Sequence, residues 1–246
     1  MRTLRFRFSG YIKDRVMRLY GVPFSPFQLE PALVPFLPRG QPITLVDVGA
    51  SVGGFAAAVR DHCGIRRALL IEPQPANARV LAAQYANSRV QINECAVSDE
   101  EGTIDMAILN FHYSSSLLAV KAEFAGTSPD ADFRVRERIT VKTRLLDNLL
   151  AEIAWTEPVD LLKIDVQGAE IKALHGARQT LTRTRMAWIE VSFRPMYEGS
   201  AEFADVYAFM NSHGFKLSSI QEGFRGEQGE LLQADALFCS GIRGGG

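Results

Sequence analysis

Two hydrophobic periods alternate along the chain, and the switches between them divide the stretch from residue 43 onward into strands and helices. Short apolar runs at Ile43–Val48, Ala68–Ile71, Val90–Glu94, Val159–Asp165 and Met186–Val191 predict buried strands. Between the first two, a helix is expected from about Gly54 to His62, with Gly64 in the place of a C-terminal cap. Pro75 opens the next helix, which runs to about Asn87. From Gly168 to Leu181, residues Ile171, Leu174, Ala177 and Leu181 share one helical face. A last helix covers Phe203–Asn211 and stops at Gly214. Phe215–Ile220 and Ala234–Cys239 are two more strands. Residues 221–233, rich in Gly, Glu and Gln, leave no room for a helical crossover, so these strands form a hairpin and the last one runs antiparallel. The pattern predicts an α/β fold, Rossmann-like, with a mostly parallel, doubly wound sheet of seven strands.

The regularity breaks in two places. Six prolines between Pro23 and Pro42 make residues 21–42 an irregular lead-in. Gly102–Leu109 and Arg138–Thr143 alternate like strands around a polar stretch containing Ser114-Ser115-Ser116 and Thr127-Ser128-Pro129. This insertion, about residues 102–143, is expected to be a strand pair with a mobile loop, placed to cover a substrate. The plan is therefore a lead-in over 1–42, one domain over 43–242, and a flexible tail at 243–246.

Composition narrows the function classes. A net charge of −1 gives no electrostatic reason for nucleic-acid binding. The three cysteines, Cys63, Cys95 and Cys239, lie far apart and fit neither a disulfide framework nor a zinc knuckle, which points to a reducing compartment. No apolar run has the roughly 18 residues of a membrane span, and polar residues follow Arg2, Arg5 and Arg7 where a signal peptide needs an apolar core. A cytoplasmic location is expected. Residues 1–18 interleave Arg2, Arg5, Arg7, Lys13, Arg15 and Arg18 with Leu4, Phe6, Phe8, Ile12 and Val16. Such a segment is either a solvated basic helix or a contact for an anionic membrane or a partner.

In a doubly wound sheet, ligands bind beyond the carboxyl ends of the strands. The first strand leaves Asp47, Gly49, Ala50, Ser51, Gly53 and Gly54 there, and its glycines allow a tight turn and a close ligand. Ser51 stands where the dinucleotide fingerprint needs its middle glycine. Asp47, two places before the first glycine, suits the cationic amino group of a methyl donor. The second strand ends at Glu72-Pro73, where a carboxylate can accept hydrogen bonds from both ribose hydroxyls. The third leaves Ala96, Val97, Ser98 and Asp99, the expected place of an adenine ring. The fourth contributes Lys163-Ile164-Asp165-Val166-Gln167-Gly168-Ala169-Glu170, with Asp165 aimed at the crevice and Glu170 suited to a first helical turn. The fifth ends in Glu190, which Arg194 could pair. His112, in the insertion, is a further candidate to reach a substrate. No residue spacing makes a metal site, although Asp165 and Glu190 would hold a divalent ion if their ends converged.

The blocks Asp47-Val48-Gly49-Ala50, Glu72-Pro73, Ala96-Val97-Ser98-Asp99 and Lys163–Glu170, with Leu146-Asp147-Asn148-Leu149-Leu150 before the last, resemble the FkbM-type methyltransferases. The resemblance covers about residues 43–195. It implies a class I methyltransferase fold and methyl transfer from S-adenosylmethionine to a hydroxyl on a sugar, glycan or secondary metabolite. Ser51 replaces the family's usual Asn, and Gln167 its usual Glu; the second removes any role that needs a negative charge there. Asp165, then Glu190, then His112 are the candidate general bases. Two other readings stand beside this one: an NAD-dependent oxidoreductase, disfavoured by the missing middle glycine, and a non-catalytic binding subunit.

Overall fold

The computed structural model describes residues 28–85, 89–109, 117–118, 121, 134–226 and 228–241. The basic segment over 1–18, His112, most of the polar stretch of the insertion and the tail lie outside the described residues. Among the described residues no helix is long and apolar enough to cross a membrane.

The first element among the described residues is a short 3-10 turn, Val34–Phe36, after which strands and helices alternate. In order come β1 (Ile43–Val48), α1 (Gly54–His62), β2 (Ile65–Ile71), α2 (Pro75–Tyr85), β3 (Val90–Asn93), β4 (Ala96–Val97), β5 (Gly102–Leu109) and β6 (Val135–Arg144). They are followed by α3 (Leu146–Glu152), β7 (Val159–Ile164), α4 (Glu170–His175), α5 (Arg178–Leu181), β8 (Thr184–Ser192), α6 (Phe203–Ser212), β9 (Phe215–Glu222) and β10 (Gln233–Ser240). Seven strands form one sheet in the order β3-β2-β1-β7-β8-β10-β9. All neighbours run parallel except β10, which is antiparallel to both β8 and β9. This is the doubly wound sheet with an antiparallel last strand that the sequence pattern predicts.

Strands β1 and β7 are buried at every position because helices cover both faces. Leu45, Leu70, Leu161, Trp188 and Leu237 look to one side, where they meet Ala56 and Val59 of α1 and Leu29, Leu33 and Leu37 of the lead-in. Val46, Val48, Leu162, Ile164 and Ile189 look to the other, against α3, α4 and α6. Between β1 and β7 the strand order changes direction, which opens a crevice at their carboxyl ends.

The insertion's strand pair forms as expected: β5 and β6 pair antiparallel, with β6 beginning at Val135 rather than Arg138. A two-residue strand absent from the sequence reading, β4, adds parallel to the end of β6 and makes a second, three-stranded sheet.

Two helical details also depart from the pattern. The single helix expected over 168–181 is two short ones, because the chain at Gly176 crosses the loop after β4. A Cβ there would lie 2.1 Å from the carbonyl oxygen of Ser98. The block Leu146–Leu150, expected only as a family signature, is helix α3. Its three leucines are buried, and its Asp147 carboxylate accepts hydrogen bonds from the backbone N–H groups of Gln179 (2.9 Å) and Thr180 (2.7 Å) and from the Thr180 hydroxyl. Asp147 thus caps α5, a helix too short to stand on its own hydrogen bonds. Asp147→Ala is expected to lower the unfolding free energy by about 1–2 kcal/mol, read from urea midpoints. A change below a few tenths would show that the cap contributes nothing.

Candidate active site

Register places the site's residues in two rows across the sheet. Asp47 of β1 lies opposite Lys163 of β7, Lys163 opposite Trp188 of β8, and Trp188 opposite Leu237 of β10. Side chains two residues apart share a face, so the next row on that face holds Gly49, Asp165, Glu190 and Asp235. Glu190 and Asp235 are direct cross-strand partners. The first row lies under the crevice and the second forms its edge.

Lys163 ties the rows together. Its ammonium donates to the carbonyl oxygen of Gly49 at 2.9 Å and sits 3.3 Å from both Asp47 Oδ1 and Asp165 Oδ2. Burial would lower its pKa, but the carboxylates of Asp165 and Asp47 outweigh that and raise it, so it stays charged. Asp47 is wholly enclosed, and neither of its oxygens has a well-formed hydrogen bond. Desolvation pushes its pKa up against the pull of Lys163.

The turn after β1 is shaped by backbone contacts. The N–H groups of Gly49 and Ala50 both donate to the Ile71 carbonyl at 3.0 Å, closing the loop onto β2. Gly49 has φ 81°, and a Cβ on it would lie 1.9 Å from the carbonyl oxygen of Asp165. No side chain fits there. Gly53, at φ 83°, starts α1 with its Cα against Leu81 and Tyr85 of α2. Ser51 takes φ 50° without glycine's freedom and aims its N–H at Glu72 Oε2, 2.8 Å away. Gln74 N–H and Asn77 Nδ2 donate to the other oxygen of Glu72. Burial raises the pKa of Glu72, and these donors pull it back.

At the far side, Gln167 stands at φ 55° with its amide between two carboxylates. Its Nε2 donates to Asp165 Oδ1 at 3.0 Å and to both oxygens of Glu190 at 3.1 Å, while Tyr197 donates its hydroxyl to Gln167 Oε1 at 2.9 Å. A glutamate here would set a third negative charge against these two; the neutral amide bridges them instead. Gln233 Nε2 also reaches Glu190 at 3.4 Å. Burial, with Asp165, Glu170 and Asp235 nearby, holds the Glu190 pKa well above the usual carboxylate range. Glu170 turns back on the N–H groups of Val166 and Gly168 at 3.0 Å and caps the turn before α4, its pKa raised to about 7 by burial.

One cavity, of about 290 Å³, runs along the second row, lined by Ala50, Ser51, Glu72, Pro73, Ala96 and Val97 at one end and by Asp165, Gln167 and Asp235 at the other. Several expectations need correction. Asp47, expected to meet the donor, lies beneath the cavity against Lys163 and does not line it. Gly53 and Ser98 support the walls without lining them; Ser98 is buried, with its hydroxyl on Asp99 Oδ1. Asp165, the first candidate base, is about one-third exposed (34%). Glu190 is set back behind Gln167, and Arg194 pairs with Glu230 at 3.8 Å. Asp165 and Glu190 do converge, but on an amide rather than on space for a cation. Among the lining residues that sequence reasoning missed are Trp188 and Asp235, and it gave Lys163 no role. Asp235 carried a signal, being the one acid in the apolar run Ala234–Cys239.

The family model described as Methyltransferase FkbM domain matches residues 47–217. The chain belongs to the FkbM methyltransferase family. Among relatives of this methyltransferase is the 2-O-methyltransferase NoeI of Sinorhizobium fredii, 30% identical over 220 residues, which are 85% of this chain and 86% of that protein. Methyltransferase sdnD of Sordaria araneosa is 28% identical over 185 residues, 64% of this chain and 71% of the relative. The crystal structure of Methyltransferase FkbM from Methylobacillus flagellatus shares the fold at TM-score 0.50 and 16% identity; the match takes in 80% of this chain and 43% of that one. S-adenosylmethionine is the methyl donor of this methyltransferase.

Two outcomes follow from the geometry. Glu72→Ala should weaken S-adenosylmethionine binding by about 10- to 100-fold in calorimetry, the loss of one or two charge-assisted hydrogen bonds. Affinity within twofold of wild type would remove Glu72 from the donor site. The second outcome concerns Asp235, whose pKa burial lifts from 3.8 to about 7. The folded protein then holds this proton more tightly than the unfolded chain, so ionising Asp235 costs stability as pH rises through that window. Relative to wild type, Asp235→Asn should therefore become more stable as pH rises from about 4 to about 7, the interval between the unfolded and folded pKa values. A constant difference across that range would contradict the shift.

Proposed function

We propose that this methyltransferase moves the methyl group to a hydroxyl oxygen of a sugar, glycan or secondary metabolite, with Asp165 as the general base. The single observation carrying this reading is the position of Asp165. It stands at the end of a central strand, one row beyond Lys163, partly open to the cavity and pressed against the Gly49 turn.

When bound, the donor supplies an already activated methyl on a positively charged sulfur. The chain's own work is alignment and proton removal. The closed turn at Gly49 and Ala50 offers a backbone wall with no side chain to hold the ligand away. Glu72, locked by Ser51 and Gln74, presents a carboxylate with lone pairs left over for ribose hydroxyls. Pro73, Ala96 and Val97 give the apolar wall for a purine. These features fit the donor: the cradle at Gly49 is one that any Cβ would fill. Asp165 is oriented from two sides, by Lys163 on Oδ2 and Gln167 on Oδ1, and keeps lone pairs for an acceptor hydroxyl. The name 2-O-methyltransferase borne by a relative 30% identical over most of both chains supports oxygen as the acceptor atom.

Asp165→Asn keeps the shape and removes the base. Turnover should fall about 10²- to 10⁴-fold, with donor affinity within threefold of wild type. The assay scores S-adenosylhomocysteine formation over a panel of sugar and polyketide hydroxyls. Turnover within threefold of wild type in this variant would contradict a base at Asp165.

A further inference from the structure

The cavity continues past the place where a donor anchored at Glu72 ends. Glu72 follows β2 and Asp235 lies in β10, four inter-strand steps apart, about 19 Å across the sheet. The donor's ribose and its sulfur are separated by only a few bonds, so a donor held at Glu72 is used up near β1 and β7. The last two steps, over β8 and β10, remain for something else.

That end of the cavity has a distinct chemistry. Asp235 lines it, and its carboxylate, largely buried, makes no hydrogen bond or ion pair with any described residue. Its neighbours Glu190 and Asp165 both have amide donors from Gln167; Asp235 has none. A mostly buried, unsatisfied carboxylate is costly, and one that faces a ligand cavity is most simply satisfied by the ligand. Glu30 lines the same cavity and is close enough to push the Asp235 proton affinity upward, as Asp165 does. Lys163, the cation facing this acidic group, is already shared between Asp47, Asp165 and Gly49. Trp188 supplies the apolar wall one row back. Carboxylates beside an indole suit hydroxyl groups on a ring, and they repel an anion.

We infer that Asp235 is an acceptor-binding residue, accepting a hydroxyl of a neutral, polyhydroxylated acceptor while Asp165 addresses the hydroxyl that is methylated. The inference rests on the methyl-transfer reading above and adds the acceptor's charge class and the residue that selects it. Asp235 sits on β10 rather than on any of the motif blocks, and it would act through binding and not through chemistry.

The test uses the full chain saturated with S-adenosylhomocysteine. Neutral methyl glycopyranosides and the matched 6-phosphates are titrated as probes, with binding read by saturation-transfer NMR and calorimetry. The wild-type protein should bind a neutral glycoside at least tenfold more tightly than its phosphate. Asp235→Leu should weaken the neutral probe at least tenfold while leaving S-adenosylhomocysteine affinity within twofold. Asp235→Asn, which keeps an acceptor oxygen, should recover part of the neutral binding and narrow the gap to the phosphate. Neutral-probe affinity within twofold of wild type in Asp235→Leu overturns the inference. So does a phosphate that binds the wild-type protein as well as the neutral probe, or a wild-type protein that binds none of the glycosides. Failure of the wild-type protein to bind S-adenosylhomocysteine is a separate result, and it overturns the methyl-transfer reading itself.

Discussion

An ammonium group buried with two carboxylates and a carbonyl around it is stable only as a complete set, because the desolvation of each charge is offset by the others. Lys163 is that group. Its contacts reach the loop after β1 through Gly49, the floor through Asp47 and the edge of the cavity through Asp165. Since β1 and β7 meet where the strand order changes direction, one side chain sets how far apart the two halves of the site stand. The 1.9 Å that would separate a Cβ at Gly49 from the Asp165 carbonyl measures how closely the two are drawn.

A division of labour follows across the sheet. On the β2 side the cavity is neutral or singly acidic, its one carboxylate already shaped by backbone donors. On the β8–β10 side it is acidic and bridged by amides. Gln167 makes the second arrangement tolerable. Three carboxylates in one row, at Asp165, Glu190 and Asp235, would repel strongly without a donor among them. The amide serves two of them and is itself held by Tyr197. The strained backbone at Gln167 and Gly168 is the means by which the amide is turned inward.

Much of the fold was legible because its strands are short, apolar and separated by helices with glycine stops. The seven-stranded sheet and its antiparallel last strand needed nothing more than that. The motif blocks also foretold one end of the cavity: Gly49, Ala50, Ser51, Glu72, Pro73, Ala96 and Val97 do line it. What the pattern could not convey was depth and register. Asp47 and Lys163 are both charged residues in apolar runs, and only the pairing of β1 with β7 shows that they compensate each other below the cavity. Asp235 lies 65 residues beyond the nearest block, which ends at Glu170, and joins the site solely through its pairing with Glu190. At the break, Gly176 packs its backbone closely against Ser98, almost 80 residues earlier, a contact that no local propensity encodes.

The dependence of the site on Lys163 is most directly tested by Lys163→Met, alone and combined with Asp47→Asn, measured by urea unfolding and by S-adenosylmethionine titration. The single variant leaves Asp47 and Asp165 uncompensated and should lose about 3–5 kcal/mol of stability. The double variant removes the buried charge at Asp47 and should regain most of that loss, while donor affinity stays lowered because the Gly49 carbonyl is no longer held. A single variant as stable as wild type, or a double variant that binds the donor at wild-type affinity, would contradict the central role given to Lys163.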